Sequence, residues 1–277
     1  MDVRRALEVF LVEDVGDGDI TSEAVVAPGM ARAEIVSKGF GILAGAKEGA
    51  TVFRLMGCDA TMRVADGDRV SRGDIVMEAR GDARALLAAE RLVLNIMTRM
   101  SGIATATRNV VERARAVNPK VRIAATRKTT PGFRYFEKRA VVTGGGDPHR
   151  WGLNDAVLIK ENHLAFTPGP AEAIRRARDA GHTSIEIEAT EHQMALECAE
   201  AGADTIMLDN FTPAEAKRTY LALKEKRSDL TVEISGGVDA GNVKDFAAHA
   251  DIISIGALTH SAKALDLSMD IHPMEGK

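Results

Sequence analysis

Arg127, Lys128, His149, Arg150, Lys160 and His163 fall in three neighbouring segments, TRKTTPG, GGGDPHRWGL and LIKENH, beside glycine-rich or Pro-Gly turns. Gathered cations repel one another, so a fold that collects them needs a ligand or acidic residues to neutralise them. Arginine presents a planar fork that matches a carboxylate or phosphate edge with two hydrogen bonds, whereas lysine offers a mobile point charge. Arg127, Arg150 and Lys160 together suit a small ligand with anionic groups on more than one side. A charge run is ordinarily a solvated face, but these cations stand at the ends of apolar segments. His149 and His163 are candidates for hydrogen bonding to a ligand or for proton transfer. Standing alone, each reads as a structural histidine, and His149 is raised by its place between the glycine loop and Arg150.

Glu188 and Asp209 each end a β-type run. Two carboxylates beside phosphate groups ordinarily hold magnesium, which keeps several waters and takes one or two protein oxygens; salt bridging to the nearby cations is the alternative. The SGG segment, Ser235, Gly236 and Gly237, and Gly256 in IGALTH close two further runs. Glycines at such ends let backbone N–H groups approach an oxyanion. The segment EDVGDGDITS near the start looks like a calcium loop, but it lacks the closing glutamate. A turn followed by a helix start near Thr21 accounts for it better.

The elements that position these residues alternate from residue 121 onward. VRIAAT (121–126), DAVLIK (155–160), TSIEIE (183–188), DTIMLD (204–209), TVEIS (231–235) and DIISIG (251–256) read as strands. PAEAIRRARDAG, EHQMALECAEAG, PAEAKRTYLALKEK and AGNVKDFAAHA read as helices. Such alternation gives parallel βαβ units. The candidate residues come at the end of every run, which favours a barrel, whose strand ends open on one mouth, over an open doubly wound sheet, which uses fewer of them. With six convincing strands, a shortened or incomplete (β/α) barrel is expected. Before residue 105 the pattern changes. Residues 31–80 have the Gly-Asp turn rhythm of a small β-sandwich like a lipoyl or biotinyl carrier, without a lysine placed to carry a cofactor. DARALLAAERLVLNIMTRMSG (82–102) predicts one long helix, capped by Asp82 and ending near Gly102. It is apolar on nearly every side and therefore expected to be buried. Arg91 in its middle then needs an anion, either Glu90 or another carboxylate, or a ligand.

The 277 residues suffice for one large or two unequal domains, and a hydrophobic content of 45% fits a soluble globular protein. A formal net charge of −4 argues against a general nucleic-acid binder. Cys58 and Cys198 have no paired spacing, which fits a reducing cytoplasm and signals neither disulfide nor zinc site. No signal peptide and no apolar run of membrane-spanning length is evident.

The segments AERLVLNIMTRMSGIAT, ATRKTTPGFRYFEKRAV, GGGDPHRWGLNDAVLIKENH, IEIEAT, ADTIMLDN, EISGGV and ISIGALTHS, spread over residues 89–261, together resemble quinolinate phosphoribosyltransferases. The resemblance implies an N-terminal α/β sandwich domain with its connecting helix over residues 1–105. It also implies an incomplete (β/α) barrel of about six to seven strands over 106–277, with the extreme C-terminus packing back on the first domain. It further implies a homodimer or larger assembly in the cytoplasm, with Arg91 acting in a neighbouring subunit's site. Arg91, Arg127, His149, Arg150 and Lys160 would hold quinolinate, and Lys128, Lys160, Ser235, Gly236, Gly237 and Gly256 phosphoribosyl pyrophosphate. Lys160, Glu188 and Asp209 would be catalytic, with Glu188 and Asp209 holding Mg2+. Ala125 stands where many members carry aspartate. A nicotinate phosphoribosyltransferase, a homologue found with molybdate transport genes, and a non-catalytic barrel that only binds a phosphorylated metabolite are the competing readings. The intact LIKENH and glycine triplet favour the quinolinate enzyme.

Overall fold

The computed structural model describes residues 2–274, so positions 275–277 of the C-terminal segment lie outside the described residues. The chain begins with α1 (Val3–Val15), α2 (Ile20–Val25), β1 (Met30–Ser37), β2 (Gly41–Ile42), α3 (Ala46–Leu55), β3 (Asp59–Met62), β4 (Arg69–Val70), β5 (Ile75–Asp82) and the long α4 (Ala83–Arg115). Strands and helices then alternate: β6 (Arg122–Ala124), α5 (Arg134–Thr143), β7 (Val157–Ile159), α6 (Glu161–Leu164), α7 (Pro170–Asp179), β8 (Ile185–Ala189), α8 (His192–Glu200) and β9 (Thr205–Asp209). The series continues through α9 (Pro213–Lys226), β10 (Thr231–Ser235), α10 (Val243–Ala247), β11 (Ile252–Ser254) and α11 (Ala257–His260), and ends with β12 (Leu267–Pro273). Among the described residues no helix is long and apolar enough to cross a membrane.

Two compact units emerge. One comprises the chain up to Arg108, Thr130–Gly145 and the segment from Ser261 onward; the other comprises Asn109–Thr129 and Gly146–His260. Residues 130–145 join the first unit through ion pairs that their charges alone did not reveal. Glu137, fully buried, meets Arg99 at 2.8 Å, and Arg139 meets the buried Glu48 at 2.9 Å.

In the first unit, strands in the order β12-β1-β5-β3 form an antiparallel sheet. Alternate residues of β1, among them Ala31, Ala33 and Ile35, are buried, as the two-residue period of a strand requires. Helix α3 packs on β3 and β5, and α1 on α3. The arrangement is an α/β layering and not the carrier-like β-sandwich that the turn rhythm suggested. The stretch misread as part of that sandwich carries Ala46, Ala50 and Phe53 at helical spacing, all buried. The C-terminal β12 pairs with β1 from Ala31↔Pro273 to Ser37↔Leu267.

Asp82 caps α4 by accepting hydrogen bonds from the N–H groups of Arg84 and Ala85. The helix does not stop near Gly102 but runs on to Arg115. Gly102 is a contact point and not a terminator: a Cβ there would lie 2.2 Å from the Lys263 carbonyl oxygen. Nor is the helix buried all round, because Arg91 and Asn95, one turn apart, are exposed. Arg91 thus has no need of an internal carboxylate.

The second unit holds six parallel strands in the order β6-β11-β10-β9-β8-β7, curved but not closed. Beside β6 the backbone of Asp147 makes a single parallel bridge, donating to Ile123 O at 2.7 Å and accepting from Ala125 N at 2.9 Å. The six strand expectations each fall within a few residues of an observed strand.

Candidate functional site

Parallel strands all point the same way, so whatever follows each of them is delivered to one rim. In the second unit this rim surrounds a cleft of about 740 Å³. Arg127 and Lys128 follow β6, Lys160 follows β7, Glu188 lies near the end of β8, and Asp209 and Ser235 close β9 and β10. Gly236, Gly237 and Gly256 line the same cleft, as do His149 and Arg150 beyond the Asp147 bridge. Gly236 has φ +85°, and a Cβ there would meet Asn210 Oδ1 at 2.3 Å, so only glycine allows this turn to press against the β9 end. The Thr259 hydroxyl donates to Lys128 O at 2.7 Å, tying the β6 loop to α11.

The cleft mixes cations and acids. Burial and then the neighbouring Arg127 pull the Arg150 guanidinium pKa below its ordinary value, with Glu186, Asp155 and Glu233 partly offsetting them. The Arg127 Nε is buried without a hydrogen-bond partner. Arg127, Arg150 and Lys160 also border an adjoining cavity of about 410 Å³, walled by apolar residues including Leu153, Leu158 and Ala173. Burial and then the Glu188 charge raise the Asp209 carboxyl pKa, while Lys160 and Lys128 partly counter them. Glu188 is ion-paired with the Lys160 ammonium, so the salt-bridge alternative holds for Glu188 in this structure.

His163 lines the smaller cavity and not the main cleft. Its Nδ1 accepts the Lys160 N–H at 2.9 Å, bracing the turn that presents Lys160. Arg91 belongs to the first unit and is not among the residues lining the cleft.

Sequence reasoning missed Glu186 and Glu233. Each lies two residues before a residue that was chosen, Glu188 and Ser235, and strand alternation puts i and i+2 on one face. Both carboxyls are buried under His149, whose Nε2 is 3.1 Å from Glu233 Oε2 and 3.7 Å from Glu186 Oε2. Burial, followed by the Glu233 charge, raises the Glu186 pKa. Although His149, Glu186 and Glu233 bring one ligand atom each within 4.8 Å of one another, they do not have the hydrogen bonding of a metal centre. A metal-bound imidazole donates its second ring N–H outward, whereas His149 Nδ1 accepts the Arg150 N–H at 2.8 Å.

Fold and cleft define a class: an open (β/α) barrel whose strand ends gather arginines, lysines and a carboxylate pair around one cleft. Comparison with known sequences narrows it. The chain belongs to the quinolinate phosphoribosyl transferase family: its N-terminal domain model matches residues 19–101 and its C-terminal domain model residues 103–270. It is 46% identical over 257 residues to the probable nicotinate-nucleotide pyrophosphorylase (carboxylating) of Archaeoglobus fulgidus, covering 92% of this chain and 98% of that protein. It is 39% identical over 254 residues to the human nicotinate-nucleotide pyrophosphorylase (carboxylating), covering 91% and 86%. Among solved structures, NadC from Streptococcus pyogenes superposes with a TM-score of 0.92 at 35% identity, covering 99% of this chain and 97% of that one.

Proposed function

We propose that this protein transfers the phosphoribosyl group of phosphoribosyl pyrophosphate to quinolinate with decarboxylation. The products are nicotinate mononucleotide, pyrophosphate and carbon dioxide, in de novo NAD biosynthesis. The observation that carries this reading is the adjacent pair Arg127 and Arg150, whose charges oppose each other beside an apolar-walled cavity. A planar ring with two carboxylates neutralises both guanidinium groups and fills apolar space with its carbon edge. Lys160, shared by both cavities, stands where that ring would meet the sugar phosphate.

Lys128, Ser235, Gly236, Gly237 and Gly256 hold the phosphates in this reading, by charge and by backbone N–H groups. Glu188 and Asp209 fit a Mg2+ ion, because burial and then the Glu188 charge disfavour the Asp209 carboxylate, and a hard cation held by the two acids would offset both. When bound, the ion supplies charge neutralisation for the pyrophosphate oxygens. The residues then act by position. The cationic side of the cleft aims the ring nitrogen at ribose C1, where the bond to pyrophosphate breaks and its electron pair leaves with the pyrophosphate. Glu188 and Asp209 stabilise the oxocarbenium-like carbon, and the ring nitrogen bonds to it. The ribosylated nitrogen is positively charged and stabilises the electron pair left at C2 as carbon dioxide departs; C2 then takes up one proton. Catalysis of this kind is orientation and fixed electrostatics.

The proposal includes a homodimer or larger assembly in which the exposed Arg91 completes a neighbouring subunit's quinolinate site. It also includes a cytoplasmic location, in keeping with the buried, unpaired Cys58 and Cys198. Isothermal titration tests the ligand assignment. Quinolinate should bind the protein alone, and an unreactive phosphoribosyl pyrophosphate analogue should bind with Mg2+. Nicotinate binding as tightly as quinolinate would overturn it.

A further inference from the structure

The backbone N–H and both ring nitrogens of His149 face scaffold groups. Its backbone N–H donates to Asp147 Oδ1 at 2.7 Å, its Nδ1 accepts from Arg150 N at 2.8 Å, and its Nε2 faces Glu233 Oε2 at 3.1 Å. The residue sits at φ +51°, a left-handed conformation that a residue with a Cβ adopts only when its surroundings enforce it. With Nδ1 accepting from Arg150 N–H and Nε2 facing the Glu233 carboxylate, the geometry fits the neutral Nε2–H tautomer, in which Nε2–H donates to Glu233. Glu233 is fully buried on β10, and the backbone of Asp147 is bonded to Ile123 and Ala125 beside β6. The turn carrying Arg150 is thus held between two strands of the barrel, with the imidazole as the strut.

We propose that Glu233 is a positioning residue: it locks the His149 tautomer, and through the Nδ1···H–N bond it fixes the Arg150 backbone so that the guanidinium stands beside Arg127 in the cleft. Glu186, 8% exposed, lies 3.7 Å from the same Nε2. The inference rests on the quinolinate reading for its kinetic consequence, but not for the tautomer itself.

The test combines histidine 15N NMR with steady-state kinetics on the intact protein, Glu233→Gln and Glu233→Leu. Glutamine keeps an oxygen that accepts from Nε2–H, so it should retain the Nε2–H pattern and a quinolinate KM near that of wild type. Leucine keeps volume without an acceptor. It should lose the fixed tautomer and raise the quinolinate KM by about tenfold or more, as small misplacements of a binding group do, while the phosphoribosyl pyrophosphate KM stays within about twofold. An unchanged His149 pattern in Glu233→Leu overturns the proposal, as does an equal rise in both KM values or a Gln variant as impaired as Leu. Should wild type fail to turn over quinolinate, the functional reading falls, and the NMR comparison, which needs no substrate, still decides the lock.

Discussion

Replacing Arg150 by methionine separates binding from stability. The substitution keeps the hydrocarbon stem, which packs, and removes the guanidinium. Burial and Arg127 both oppose the guanidinium charge, with Glu186, Asp155 and Glu233 partly offsetting them, and its Nη1 donates to Ala156 O at 3.2 Å. Losing the bond costs about 0.5 to 1.5 kcal/mol, and relief of Arg127 offsets part of that. The melting temperature should therefore fall only slightly or rise. With substrate bound the balance reverses, because a charge-assisted hydrogen bond to a carboxylate is worth about 1.5 to 3 kcal/mol. At about 1.36 kcal/mol per decade, one lost contact lowers kcat/KM for quinolinate about 10- to 150-fold, and a bidentate contact lowers it further. The assay is nicotinate mononucleotide formation at saturating phosphoribosyl pyrophosphate, alongside thermal unfolding. Activity within threefold of wild type refutes the reasoning, as does a large drop in melting temperature that accounts for the activity lost.

Asp209→Asn should stabilise the metal-free protein at neutral pH. A carboxyl with a raised folded-state pKa destabilises the fold once pH rises past its unfolded value, and the amide removes that penalty; unfolding at pH 4 and pH 7 measures the difference. Combined with Glu188→Gln, the same change should abolish Mg2+-dependent use of phosphoribosyl pyrophosphate while quinolinate still binds by calorimetry; equal loss of both ligands would point to collapse of the rim. Arg91→Ala and Lys160→Ala proteins, each inactive alone, should regain activity when mixed under conditions that exchange subunits; exchange without recovery would place Arg91 outside the neighbouring site. Gly236→Ala forces a Cβ into Asn210 at a positive φ, a strain of about 1 to 3 kcal/mol. It should raise the KM for phosphoribosyl pyrophosphate much more than that for quinolinate, and equal changes in steady-state kinetics would contradict the assigned role.

The barrel was legible because each strand is a short apolar run ending on a polar residue, and a parallel sheet converts six such endings into one rim. Lys160, Glu188, Asp209 and Ser235 could be placed at that rim from position alone. Glu186 and Glu233 were not found because attention rested on the last residue of each strand, although alternation places the residue two before it on the same face. Gly102 was read as a helix end because a glycine's backbone freedom and its lack of a Cβ look alike in sequence; here the close approach of Lys263 is what matters. The apolar run around Arg91, with Leu92, Val93 and Leu94 all buried, suggests a buried arginine, yet one exposed stripe along the helix suffices to carry it. The pairing of β12 with β1 joins residues more than two hundred positions apart, and no local pattern encodes that register.

The central claim is that the cleft is built for a dianion that loses one carboxylate. Quinolinate and nicotinate differ by that group, and a site committing Arg127, Arg150 and Lys160 to it leaves charge unpaired with nicotinate, which allows strong rejection. Carbon dioxide and nicotinate mononucleotide measured in parallel from each substrate test this directly. The account predicts equimolar carbon dioxide and mononucleotide from quinolinate and little product from nicotinate; efficient nicotinate turnover, or mononucleotide from quinolinate without carbon dioxide, would contradict it.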